Sequence, residues 1–182
     1  MSNWDYAQVT PTEEWRSAMT IPRELKLVKS GNIYLVQSTP VAEFESLVEA
    51  PSPLESGSTV LIENYKIGVT GIVEGSFELN LKNSEGDSVV IAMSEGVISI
   101  DRKNSGLTDF SEKFASLDKS DPLDVELNKL EVYVDASSIE VFANEGLIVM
   151  TEQVFPSSPL TTIDYSGEAE SVVIQPIKSI WN

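Results

Sequence analysis

The sequence predicts an all-β protein in which two antiparallel sheets pack face to face as a β-sandwich. Short segments of alternating apolar and polar residues recur at intervals of roughly 8–12 residues, a spacing typical of sandwich strands. Turn-forming Gly, Asn, Asp and Ser residues separate these segments, and almost none of the chain has helical periodicity. A closed barrel is the structural alternative.

The clearest strand pattern lies in the second half of the chain. Leu130–Val134 and Ser138–Phe142 alternate with the period of two of half-buried strands. Asn144-Glu145-Gly146 forms a tight turn in which the Gly can adopt positive φ. A third run, Leu147–Phe155, ends at Pro156, which cannot donate a hydrogen bond to a sheet. We therefore expect a three-stranded antiparallel meander at the centre of the fold.

The N-terminal third predicts a hairpin. Ser17–Val28 alternates as a strand, although Pro22 restricts its middle to an edge or a bulge. Ser30-Gly31-Asn32 is the turn, and Ile33–Ser38 is the returning strand. Val41–Ala50 has helical spacing between two prolines, which leaves room for either a short helix or a coiled connection.

Further strands are expected between the hairpin and the meander, and one after the meander. They are residues 65–72, 76–82, 88–92, 97–101 and 167–178. The polar stretch Lys103–Asp121 is expected to be a surface loop anchored by Phe110, Phe114 and Leu117. The expected form of the sandwich is a jelly roll like that of concanavalin and other lectins.

Length and charge restrict the class of protein. A chain of 182 residues can bury one substantial core. The formal net charge of −17, without a cluster of Lys and Arg, argues against nucleic acid and anionic membranes as partners. No apolar run approaches the roughly 20 residues of a membrane helix. The first residues contain no signal peptide, and the compartment of the parent protein, secreted or cytoplasmic, is left open.

The residue types present exclude most catalytic chemistry. The chain has neither Cys nor His, so thiolate catalysis, a His general base and a typical zinc site are excluded, and no metal or cofactor is expected. Carboxylates are the remaining acid–base groups. A glycosidase pair such as Asp101 and Glu140 is one hypothesis, but Glu140 is better interpreted as a solvated outward position of an alternating strand.

Aromatic residues offer a second kind of site. Trp4 and Trp15 lie with a tyrosine in a polar N-terminal segment, where we expect them to pack against a core or to stack on a ligand. Exposed rings could hold a glycan, and the candidates are Tyr65, Tyr133, Tyr165 and Trp181. Tyr133 lies on the strand face opposite Val132 and Val134. Packing of these rings under loops is the preferred alternative.

In residues 2–25 and again in residues 135–156, the sequence resembles glycoside hydrolase family 32, the invertases, inulinases and levanases. Residues 2–6 with residues 11–25 (PTEEWRSAMTIPREL) resemble the end of that family's five-bladed propeller. Residues 135–146 (DASSIEVFANEG), followed by residues 151–156, are similar to a hallmark of its C-terminal β-sandwich. Ala136 stands where the family hallmark has Arg.

The resemblance implies a division of the chain and a function. Residues 1–25 would be a remnant of the last propeller strands, with its first dozen residues disordered or repacked, and residues 26–182 the C-terminal sandwich. The family's three catalytic carboxylate motifs are absent, so no catalytic residue is expected in this chain. Trp4 matches an aromatic that lines the fructose-binding pocket.

The expected function is that of a non-catalytic module of a β-fructosidase that hydrolyses sucrose, inulin or levan. The module would stabilise the five-bladed propeller, its expected partner, and contribute to a homodimer. A lectin-like module that binds fructan is the alternative.

Overall fold

The computed structural model describes residues 3–123 and 125–180, and it is built almost entirely from β-strands. Two six-stranded antiparallel sheets pack around one hydrophobic core, and a two-stranded sheet lies beside them. The predicted two-sheet antiparallel sandwich is therefore confirmed. Trp181 lies outside the described residues.

The strands and helices follow one another along the chain with short connections. Up to residue 82 the elements are β1 Arg23–Ser30, β2 Ile33–Pro40, α1 Ala42–Glu45, β3 Ser52–Pro53, β4 Ser58–Thr59, β5 Tyr65–Thr70, a 3₁₀ turn at Val73–Gly75 and β6 Phe77–Lys82. The remaining strands are β7 Ser88–Ser94, β8 Val97–Asn104, β9 Leu117–Lys119, β10 Lys129–Asp135, β11 Ser138–Ala143, β12 Ile148–Gln153, β13 Thr162–Ser166 and β14 Ser171–Pro176.

The first sheet contains the predicted meander. Its strand order is β12-β11-β10-β5-β14-β3, and β10, β11 and β12 are consecutive antiparallel neighbours. Val132 lies opposite Val141 on one side and Ile67 on the other, and all three are fully buried in the core. The alternation in the sequence therefore correctly predicts which residues of this sheet face the core.

The second sheet has the order β4-β13-β6-β7-β8-β9. Phe77, Leu79 and Leu81 point into the core, whereas Glu78 between them is exposed. This sheet has one apolar face in the core and one face more exposed to solvent, the usual arrangement in an antiparallel sandwich.

The strands β1 and β2 form a hairpin that belongs to neither large sheet. All eight residues of β1 pair with β2, from Arg23 opposite Pro40 to Ser30 opposite Ile33. The strand begins at Arg23, directly after Pro22, so the expected start at Ser17 is wrong, because Pro22 has no N–H to donate to a strand ladder. The helical alternative for the next segment is realised as the single turn α1.

The N-terminal segment packs on the sandwich through one aromatic residue. Tyr6 is buried and meets Phe114 edge to face, with ring centroids 5.2 Å apart. Phe110 and Phe155 complete this cluster, so Phe110 and Phe114 are anchors as predicted. Leu117, predicted as a third anchor, is 43% exposed because it lies on the edge strand β9. Trp4 is also exposed, contrary to the expectation that packing would cover it.

No helix within residues 3–123 and 125–180 is long and apolar enough to cross a membrane.

Candidate functional site

The outer face of the first sheet is covered by protein. Glu140 and Tyr133 occupy outward positions on β11 and β10, yet each is only 3% exposed. The expectation that Glu140 is solvated is therefore wrong, whereas the burial of Tyr133 agrees with the preferred alternative that its ring is packed. The reason is tertiary, because residues 19–22, which we call the covering segment, and residues 41–47 around α1 lie over this face and line a groove with both residues.

Glu140 anchors that covering segment. One carboxylate oxygen accepts a hydrogen bond from the backbone amide of Ile21 at 2.6 Å, and the other pairs with the Arg23 guanidinium at 2.5 Å. Arg23 also donates to the hydroxyl of Thr151 at 2.7 Å and lies over the ring of Phe142. The buried charge of Glu140 is therefore paired and hydrogen-bonded, as burial of a carboxylate requires.

A second polar network fixes α1 on the same face. Lys66 Nζ lies 2.7 Å from Glu131 and 3.2 Å from Glu45, and it sits over the ring of Tyr133. The Tyr133 hydroxyl donates to Glu45. Burial and these carboxylates raise the pKa of Tyr133 well above its ordinary value, so the phenol stays protonated and serves as a donor.

A groove of about 520 Å³ runs between this covering segment, α1 and the C-terminal residues 177–180. Its walls are mainly apolar, with Met19, Phe44 and Ile177 among them, and Glu140 lies at its polar side. Met19 is 91% exposed despite lining the groove. The groove therefore opens to the surface beside the base of the hairpin.

The most exposed apolar surface of the sheets is on the hairpin. Leu27 lies directly opposite Val36, and Tyr34 follows on the same strand face, while Leu25 precedes Leu27 by two residues. These four side chains are between 57% and 69% exposed. They form one continuous apolar face, which we call the hairpin face. The opposite face carries Val28 and Leu35, which are half-buried, and Ile33, which is 56% exposed.

This surface has a sequence signal that a simple alternation search misses. Ile33-Tyr34-Leu35-Val36 is a continuous apolar run, and such runs are typical of strands covered on both faces. Within the described residues, Tyr34 and Val36 on one face and Ile33 on the other are more than half exposed.

The hypothetical catalytic pair is not assembled. Asp101 alternates with the core residue Ile100 and therefore lies on the outer face of the second sheet, where it pairs with Lys103. Glu140 lies on the outer face of the first sheet, so the core separates the two carboxylates. Among residues 3–123 and 125–180, no three acidic side chains gather in a way that could hold a metal ion.

A different carboxylate has a perturbed pKa. Burial raises the pKa of Glu152 to about 7, and Arg102, 3.2 Å away, only partly offsets this. Arg102 is itself buried and donates to the Tyr6 hydroxyl and to the Gln153 carbonyl. It stacks over Phe114 at 4.4 Å. This cluster fastens the N-terminal segment to the sandwich, and sequence reasoning gave no indication of it.

The aromatic glycan candidates are mostly buried. Tyr65 points into the core and donates to the Leu160 carbonyl, and burial raises its pKa. Tyr165 is half-buried and stacks on Phe77. The packing alternative therefore holds for Tyr65, Tyr133 and Tyr165, while Trp181 lies outside the described residues. Trp4 is the most exposed aromatic described, at 92%.

These features define a class of protein: a β-sandwich module with an N-terminal segment folded over one sheet and an unpartnered apolar hairpin. The chain belongs to the C-terminal family of the family 32 glycosyl hydrolases, whose model matches residues 35–181.

Two relatives agree with this assignment. The levanase of Bacillus subtilis (strain 168) is 31% identical over 204 residues, covering 100% of this chain and 30% of the levanase. The extracellular exo-inulinase of Aspergillus awamori is 30% identical, covering 100% of this chain and 38% of the inulinase. The chain therefore spans about a third of the length of these relatives.

Solved structures extend the agreement to the fold. The crystal structure of the Aspergillus awamori exo-inulinase superimposes with a TM-score of 0.83 at 28% identity, covering 100% of this chain and 40% of that one. The sucrose-6-phosphate hydrolase of Lactobacillus gasseri has a TM-score of 0.71 at 22% identity and shares the fold.

Proposed function

We propose that this chain is the non-catalytic C-terminal module of a β-fructosidase that hydrolyses sucrose, inulin or levan, and that it stabilises the catalytic propeller of that enzyme. The observation that carries the proposal is the hairpin face. Leu25, Leu27, Tyr34 and Val36 expose a continuous apolar surface on one face of the hairpin. Contiguous apolar patches of this kind mark protein–protein contacts.

The backbone of the hairpin supports the same partner. Among residues 3–123 and 125–180, β1 pairs with β2 alone, so its other edge has N–H and C=O groups without a strand partner there. An isolated two-stranded hairpin is marginally stable in water, and a further strand or layer is what such a hairpin needs. A propeller blade, which is a small antiparallel sheet, would supply both an edge strand and an apolar layer.

The division of the chain follows from this docking. We propose that residues 1–25 are the end of the propeller and that residues 26–182 are the sandwich module. The boundary falls inside β1, so the hairpin would be shared by the two parts. Trp4, with its exposed indole, would then line the fructose-binding pocket of the complete enzyme.

The absence of activity is the first test. The purified 182-residue chain, produced in a host lacking β-fructosidases, is expected to release no fructose from sucrose, inulin or levan. The Bacillus subtilis levanase provides the positive control. Fructose released in proportion to the amount of this chain would overturn the proposal.

The docking role needs a partner domain. A chimera would carry this chain in place of the region that it matches in the Aspergillus awamori exo-inulinase. We expect the chimera to be soluble and active, and the double substitution Leu27→Asp/Val36→Lys to lower its active yield at least about tenfold, because both charges would be buried in the interface. Lys26→Asp, on the opposite face of β1, is the matched control. Equal yields for the two variants would count against docking through the hairpin face.

Fructan binding is the second candidate function, and the exposure of Trp4 favours it. A free indole can stack on a sugar ring. Titration calorimetry with levan and inulin oligomers should then give a binding signal that Trp4→Ala abolishes. No heat of binding at millimolar levan or inulin oligomer would exclude fructan binding.

A further inference from the structure

The hairpin is attached to the sandwich at its base. Arg23 begins β1, and Ser38 lies near the end of β2, opposite Leu25. Both residues contact the meander, whereas the turn at Gly31 is at the far end of the hairpin. The hairpin therefore projects from a fixed base, and its orientation depends on a small number of contacts.

The first contact is the buried carboxylate of Glu140. It holds the β1 side through the Ile21 amide at 2.6 Å and the Arg23 guanidinium at 2.5 Å. Its side chain is 4% exposed, so solvent does not compete for these bonds. Removing one member of a buried pair leaves an uncompensated charge, which is far more costly than loss of a surface pair.

The second contact is the turn at Gly146, which holds the β2 side. The Ser38 amide donates to the Gly146 carbonyl at 2.9 Å. A Cβ atom at residue 146 would lie 1.9 Å from the Ser38 carbonyl oxygen, and Gly146 has a φ of +81°. Only glycine fits this conformation and this close approach.

We propose that Glu140 and Gly146 are positioning residues, which clamp the two strands of the hairpin at its base and set the one angle at which the hairpin face is presented. The partner on that face is the catalytic domain, and this part of the inference rests on the proposed function. The buried carboxylate of Glu140 thus fixes how this module is oriented relative to the catalytic domain.

The chain is well suited to a distance measurement, because it has no cysteine of its own. Spin labels would be attached at Asn32→Cys, in the hairpin turn, and at Glu85→Cys, in the exposed turn between β6 and β7. Double electron–electron resonance then reports the spread of hairpin orientations. The labelled protein with Glu140 and Gly146 unchanged is expected to give one narrow distance peak.

Glu140→Gln should broaden that peak at least about twofold, because the neutral amide loses the ion pair with Arg23 and keeps one acceptor oxygen for two donors, so the hairpin can rotate about the other tether. Arg23→Gln should give the same broadening while leaving every residue of the sandwich unchanged, so it answers the question even if Glu140→Gln fails to fold. Glu152→Gln is the matched control, since it removes another buried carboxylate of the meander that bonds Arg102, and it should leave the peak narrow.

A second label pair, Glu85→Cys with Glu168→Cys, lies entirely on the sandwich and separates a local role from a general one. We expect Glu140→Gln to leave this distance unchanged. A hairpin peak that stays narrow in both Arg23→Gln and Glu140→Gln would overturn the inference, and so would equal broadening of both label pairs. The experiment needs no catalytic domain, so the clamp can fail while the proposed function stands, and the chimera can fail while the clamp holds.

Discussion

The hairpin and the meander are both antiparallel strands with apolar residues at alternate positions, yet they differ completely in burial. In the meander, even the outward residues Glu140 and Tyr133 are buried. In the hairpin, Leu27 and Val36 are more than half exposed. Alternation therefore identifies a strand and its two faces, but which faces are covered depends on segments that are distant in sequence.

The difference also separates two kinds of stability. The meander packs against the sandwich core on one face and the covering segment on the other, so its strands have their partners within this chain. The hairpin is held at its base, and no described residue covers its apolar face. The effect of a substitution on the free energy of unfolding should therefore be large in the meander and negligible on the hairpin face.

The largest effect is expected for Phe142→Ala. Phe142 is 1% exposed and packs between Tyr133 and the Arg23 guanidinium. Truncation should lower the free energy of unfolding by about 3–5 kcal/mol, the usual cost of removing a buried Phe. Urea denaturation followed by circular dichroism measures this loss, and a value below about 1 kcal/mol would mean that the outer face of the first sheet is not a packed layer.

Gly146→Ala should come next, because it acts where the two regions meet. The added Cβ would collide with the Ser38 carbonyl oxygen at a positive φ, and the expected cost is about 3 kcal/mol. Gly31→Ala is the matched control. Gly31 has a φ of +58° but no atom within 4 Å of the added Cβ, so only the conformational cost of about 1 kcal/mol is expected. Equal losses for the two alanines would show that the contact with Ser38 carries no energy.

The pH dependence of the meander should be set partly by Glu152. Its pKa in the folded protein is about 7, above the ordinary value of 4.5, so the folded state holds a proton that the unfolded state has released between these pH values. The stability should therefore fall as the pH rises from about 4.5 to 7, by about 2 kcal/mol after allowance for residual exposure.

The test for Glu152 is a difference between two pH profiles. Glu152→Gln cannot ionise, so its free energy of unfolding should lack this decline, and subtraction removes the contribution of the other carboxylates. Parallel profiles for the variant and the parent would contradict the assignment.

The smallest effect on stability is expected on the hairpin face. Tyr34→Ala and Leu27→Asp should each change the free energy of unfolding of the isolated chain by less than about 0.5 kcal/mol, because both side chains are mostly solvated. The same Leu27→Asp substitution, made in the chimera, should contribute to a large loss of active enzyme. A loss of more than about 2 kcal/mol in the isolated chain would show that the hairpin face is already covered.

The sequence by itself determined the local structure of this protein. The alternation at Leu130–Val134 and Ser138–Phe142, the turn at Gly146 and the stop at Pro156 predict strands whose inner residues are those of the core. Strand period, turn conformation and the missing N–H of proline are properties of neighbouring residues, so they can be read from the chain alone. The similarity of residues 2–25 and 135–156 to glycoside hydrolase family 32 likewise indicated the family from the sequence.

Only the tertiary structure decided which polar and aromatic residues are buried. Glu140 and Tyr133 occupy the outward positions predicted for them, but Ile21, Arg23 and α1 lie across those positions and remove them from solvent. Arg102 and Tyr6 meet across 96 residues of sequence. Such contacts join segments whose separation along the chain contains no periodic signal, because burial is a property of what packs on a strand as well as of the strand itself.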